Sequence, residues 1–105
     1  MNTIALELYE QFKQLEANFT VLLDQTTTEA QRERLRACYV QGWRNYNLAV
    51  GRAFDMNDEL VQQLHLELVA QGDQLTAALD DLGRITDTIN TVAKVIAFGA
   101  TVALA

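Results

Sequence analysis

From Val61 to Ala103, apolar or small residues recur at alternating steps of three and four: Val61, Leu64, Leu68, Gln71, Leu75, Ala78, Leu82, Ile85, Ile89, Val92, Ile96, Gly99 and Ala103. Gln71 is the one polar member. Steps averaging 3.5 residues keep one side of a helix turned toward its neighbours, so this run predicts a long helix with an unbroken packing seam. The opposite side keeps the same phase, with Asp73, Asp80, Asp87, Lys94 and Thr101 seven apart.

Two glycines, Gly72 and Gly83, fall within this segment. A glycine in a helix interior costs only ~1 kcal/mol relative to alanine, which packing over many turns outweighs. Seam and polar stripe both pass through the glycines without a change of phase. The reading is therefore one continuous helix from about Asn57, with a break near Gly83 as the alternative. At 1.5 Å per residue such a helix would be ~70 Å long, about twice the length of either helix before it.

Upstream, Ala5, Leu8, Phe12, Leu15, Phe19 and Leu22 form the apolar stripe of an amphipathic helix from about Thr3 to Asp24, with Asn2 or Thr3 as its cap. Thr26-Thr27-Thr28 interrupts it, and Thr28-Glu29-Ala30-Gln31 fits the capping box of a second helix. That helix carries Leu35, Tyr39, Gly42, Tyr46, Ala49, Ala53 and Met56 on its seam, flanked by Trp43 and Val50. Its small residues leave room for Phe12 or Phe19, since cores interdigitate large against small. A cap at Asp55 or Asn57 starts the third helix, and a short connection makes the second and third antiparallel. The fold class is all-α: an antiparallel bundle of three helices with a long C-terminal helix, or of four if the chain breaks near Gly83.

The 105 residues fit one domain, 1–105, with no proline to interrupt helices. The single Cys38 has no internal partner, which suits a reducing, cytoplasmic setting or is simply a thiol without a role. No signal peptide is visible at the start, because MNTIALELYEQFK lacks a basic leader and an uninterrupted apolar run. The net charge of -6 is uneven: residues 29–54 balance at +3, and everything else sums to -9. Opposite charges on neighbouring helices are expected to decide which helix lies beside which.

Catalytic chemistry finds no recognisable part. His65 is the only histidine, and the Glu-x-x-His pair of a di-iron bundle would need a glutamate where Gln62 stands. Cys38 and His65, read as lying on adjacent helices, lack an orienting group and an oxyanion site. No catalytic, cofactor-binding or metal-ligating residue is assigned. The aromatics of the second helix coincide largely with its core-facing seam, its arginines are read as pairing with acidic groups of the same molecule, and the chain is acidic overall, so nucleic acid is not expected as a partner.

The segment 92–105 has only Lys94 and Thr101 as polar side chains, and on a projecting helix it would expose a large apolar surface. The expected function is a non-catalytic interaction or assembly protein. It would form a homo-oligomer, or bind a helical partner, through the partner-binding residues Ile85, Ile89, Val92, Ile96, Gly99 and Ala103. The alternative is a membrane-associated protein, peripheral to the bilayer, that uses segment 92–105.

Overall fold

Asn2, Thr28 and Asp58 each open a helix. In the computed structural model, which describes residues 1–105, α1 spans Thr3–Gln25, α2 Glu29–Val50, α3 Glu59–Asp80 and α4 Ile85–Leu104. Asn2 Oδ1 accepts the Ala5 N–H at 2.7 Å, while its Nδ2 donates to Ala49 O at 2.9 Å, so one side chain caps α1 and ties it to the end of α2. Thr28 Oγ1 accepts from Gln31 N–H at 3.1 Å; Gln31 reaches back to Thr27 N–H, one residue earlier than a strict capping box requires. Asp58, rather than Asp55 or Asn57, caps α3 by accepting Leu60 N–H at 2.8 Å.

The continuous third helix is corrected. The chain breaks between Asp80 and Ile85, giving four helices in a body 45 × 21 × 19 Å that leaves no room for a 70 Å rod. Asp81 Oδ1 accepts the Gly83 N–H at 3.1 Å, and Thr88 Oγ1 donates to Asp81 O, so the turn supplies its own polar bonds. Gly83 does not adopt a positive φ, so the break belongs to Asp81 more than to the glycine. Energetically the comparison is one-sided. Folding back buries Ile89, Val92, Val95, Ile96 and Val102, each worth ~1.5–3 kcal/mol, against a few helical hydrogen bonds of ~1 kcal/mol each.

The four helices form two antiparallel hairpins, α1/α2 and α3/α4. They pack so that α1 lies beside α3 and α2 beside α4, each pair running in the same direction, while α2 and α3 occupy opposite corners. The sequence reading of α2 and α3 as antiparallel holds for direction, but the eight-residue connection Gly51–Asp58 lets them cross the bundle instead of touching.

The core has two apolar halves. One gathers Leu15, Leu22, Leu35, Leu75, Ile89, Val92, Val95 and Ile96; the other gathers Ile4, Leu8, Ala49, Leu68, Val102 and Ala103. Between them lies a polar layer, with Gln11 from α1, Asn45 from α2 and Gln71 from α3, all buried, and Gly99 from α4. Gln11 Nε2 donates to Leu68 O at 3.0 Å, and Asn45 Nδ2 to Ile96 O at 2.9 Å. Each bond runs from the first hairpin to a carbonyl of the second, so the layer fixes the height at which the hairpins meet. Phe12 packs over Gly42, where a Cβ would come within 3.3 Å of its ring.

Candidate interaction surface

The seam residues expected to bind a partner sit inside the chain's own bundle. Ile89, Val92, Ile96, Gly99 and Ala103 are buried and Ile85 is half-buried. This corrects the partner assignment for a geometric reason: once α4 folds back, the first hairpin covers the face that a projecting helix would have bared. Cys38 and His65 are not on adjacent helices, since α2 and α3 are diagonal. Burial pushes the Cys38 thiol above its ordinary range, despite the nearby Arg34. No three His, Cys, Asp or Glu side chains converge in a metal-binding group.

The charges do not pair across helices as expected. The three ion pairs, Lys13–Glu16, Arg32–Glu29 and Arg36–Glu29, each lie within one helix. Arg32 and then Arg36 hold the Glu29 carboxyl below its usual range, and a hydrogen bond from Lys13 does the same for Glu16. These carboxylates stabilise the fold above their ordinary pKa and lose that contribution as pH falls through the depressed value. All are solvent-exposed, so the effect is small. Meanwhile α2, with four arginines against two glutamates, stands diagonally opposite α3, which carries Glu59, Glu67, Asp73 and Asp80 and no lysine or arginine. The fold separates its charge into a basic corner and an acidic one.

The basic corner is also the aromatic one. Six rings run along the α1/α2 groove in the order Phe19, Tyr39, Phe12, Trp43, Tyr46, Tyr9, with successive centroids 4.9, 5.1, 5.3, 5.6 and 5.0 Å apart. Tyr39 Oη donates to Glu16 at 3.1 Å. Trp43 ends up 48% exposed, and Val40 and Leu48 beside it are open to the same degree, within a few percent. Trp43, Arg44, Asn47 and Leu48 line a shallow hollow of about 380 Å³. Arg44 is in no ion pair. The sequence placed Trp43 and Val50 as flanks of a core-facing seam; their outward exposure depends on α4 covering only one side of α2.

No protein-family model, no characterised protein and no solved structure matches this chain.

Proposed function

We propose that this protein is a non-catalytic assembly protein whose copies associate through the solvent side of α2. The observation that carries this reading is the patch of Val40, Trp43 and Leu48 around the unpaired Arg44. Tryptophan and arginine are the residues most often found at the centre of interfaces, because each buries large area with a defined geometry. A second copy is the occupant because the same chain carries, on α3, an exposed face of opposite charge. The assembly reading made from the sequence is kept, and its surface moves from the α4 seam to α2. We further propose a reducing, cytoplasmic setting, with which a single free thiol is compatible.

Light scattering over a concentration series tests the reading. The wild-type mass is expected to rise above 11.8 kDa with concentration, while Val40→Gln/Arg44→Gln stays monomeric with unchanged helical circular dichroism. A wild-type mass of 11.8 kDa at every concentration overturns it.

A second reading rests on α4, the one helix long and apolar enough by length and composition to cross a membrane. Its apolar side is core here, so insertion would require the hairpins to part. Cys38 shares the core half of Ile89, Val92, Val95 and Ile96 and would then be uncovered. Cys38 is expected to react slowly with a thiol reagent in the native protein. If adding vesicles of phosphatidylcholine and phosphatidylglycerol does not accelerate that reaction, the membrane reading fails.

A further inference from the structure

We infer that the surface α2 meets in a neighbouring copy is the outer face of α3, so that copies join head to tail rather than about a two-fold axis. The inference rests on the reading of α2 as the associating face and adds its partner.

On α3, Glu59, Gln63, Leu66, Ala70, Asp73, Ala77 and Asp80 follow one another at steps of four and three, and all seven are exposed. They form one straight stripe. Leu66, in its first half, stands 69% exposed, more open than any other large apolar side chain except Met1. The carboxylates Glu59, Asp73 and Asp80 on this stripe are in no ion pair. The outer face of α2 is also a straight stripe: Glu33, Ala37, Val40, Arg44 and Asn47 recur at steps of four and three, all exposed, with Trp43 and Leu48 at the sides, and the charge beside the aromatic end is the cation Arg44.

Leu66 of one copy fits the Trp43–Leu48 side of the next, and Asp73 comes to Arg44. An α2–α2 contact would instead set Arg44 against Arg44, and an α3–α3 contact would oppose carboxylates; like charges brought together work against both. Because the two faces lie at opposite corners of one molecule, both are free at once. A contact between unlike faces is heterologous, and it propagates into a ring or an open string unless capped. One helix laid on another is a small interface, so association is expected in the micromolar range, Kd of about 1–100 μM.

The test uses two variants and their mixture. Val40→Gln/Arg44→Gln breaks the α2 face and leaves α3 intact; Leu66→Gln/Asp73→Asn does the reverse. Each alone is expected to associate at least ~10-fold more weakly than wild type. Mixed in equal amounts they should form a 1:1 complex of twice the monomer mass and nothing larger, because one intact interface remains and both ends are dead. All substituted side chains are exposed, and circular dichroism checks that each variant is folded. If the α3 variant fails to fold, Ala70→Arg blocks the same stripe in its place. An α3 variant that still associates like wild type would mean that α2 meets itself: the head-to-tail inference fails and the α2 reading stands. Two monomeric variants whose mixture stays monomeric also overturn it. A monomeric wild type overturns both.

Discussion

Gly99→Ala is expected to destabilise the protein by about 1–2 kcal/mol and to lower its thermal midpoint by roughly 5–10 °C, although alanine is the better helix former by ~1 kcal/mol. The added methyl would lie 2.8 Å from Asn45 Nδ2 and 3.0 Å from Leu8 Cδ2. Asn45 has no way to withdraw. It is 1% exposed, its Nδ2 is held by Ile96 O, and its Oδ1 accepts from Gln41 at 2.8 Å. Overpacking a full core costs ~1–3 kcal/mol, and stripping a buried amide of its partner costs a similar amount, so the collision outweighs the gain in propensity.

Two comparisons isolate the cause. At Gly72 the same change meets only ordinary contact, with Gln11 Nε2 at 3.5 Å, so Gly72→Ala should stabilise by up to ~1 kcal/mol. In an Asn45→Ala background the nearer of the two obstacles is gone and only the end of the Leu8 side chain, at 3.0 Å, has to shift, so Gly99→Ala should cost clearly less than it does in the wild type. Thermal melts of the wild type, Gly99→Ala, Gly72→Ala, Asn45→Ala and Asn45→Ala/Gly99→Ala decide the matter. A Gly99→Ala protein that melts at or above the wild-type temperature would show that the polar layer is loosely packed and does not set the height of the hairpins.

That layer illustrates what the sequence conveys and what it withholds. Periodicity correctly turned Leu8, Leu15, Leu22, Leu35, Leu68, Leu75, Ile89 and Val92 inward, and size alone offered Phe12 or Phe19 for the small residues of α2, of which the structure sets Phe12 over Gly42. Gln71 stood out as a polar residue in an apolar seam. Asn45 and Gln11 did not, because they lie just off the seams as counted, and only the third dimension brings them level with Gly99. Periodicity also reports which side of a segment faces inward without reporting whether the axis continues. Leu82 and Ile85 keep the count through the turn, so a reversal of direction looked like a straight helix. The candidate surface failed for the same reason: Ile85, Ile89, Val92, Ile96, Gly99 and Ala103 do bind a partner face, and that face is the chain's own first hairpin. Charge misled in its own way. Basic α2 and acidic α3 looked like neighbours, yet they stand at opposite corners, and that separation is what leaves Val40, Trp43, Leu48 and Leu66 uncovered.

The same unbroken phase makes the α3–α4 turn the place where two substitutions should change the molecule most. Asp81→Ala/Gly83→Ala removes the carboxylate that accepts the Gly83 N–H and replaces both residues by the strongest helix former. Propensity and the lost hydrogen bond together shift the balance toward a helix running from Glu59 to Leu104 by ~2–3 kcal/mol per chain. The buried apolar surface need not be lost, because the α4 half of one long helix can cover the first hairpin of a second copy in the way it now covers its own. Such an exchange of identical elements gives a closed dimer with native contacts throughout. Made in the Val40→Gln/Arg44→Gln background to silence surface association, the variant is expected to refold at high concentration to twice 11.8 kDa and to keep that mass on dilution. A variant that refolds to the monomer mass with native helix content would place the reversal in the packing of α4 against α2 and not in Asp81: the core contacts of Ile89, Val92 and Ile96 within one chain would then outweigh every local preference at the turn.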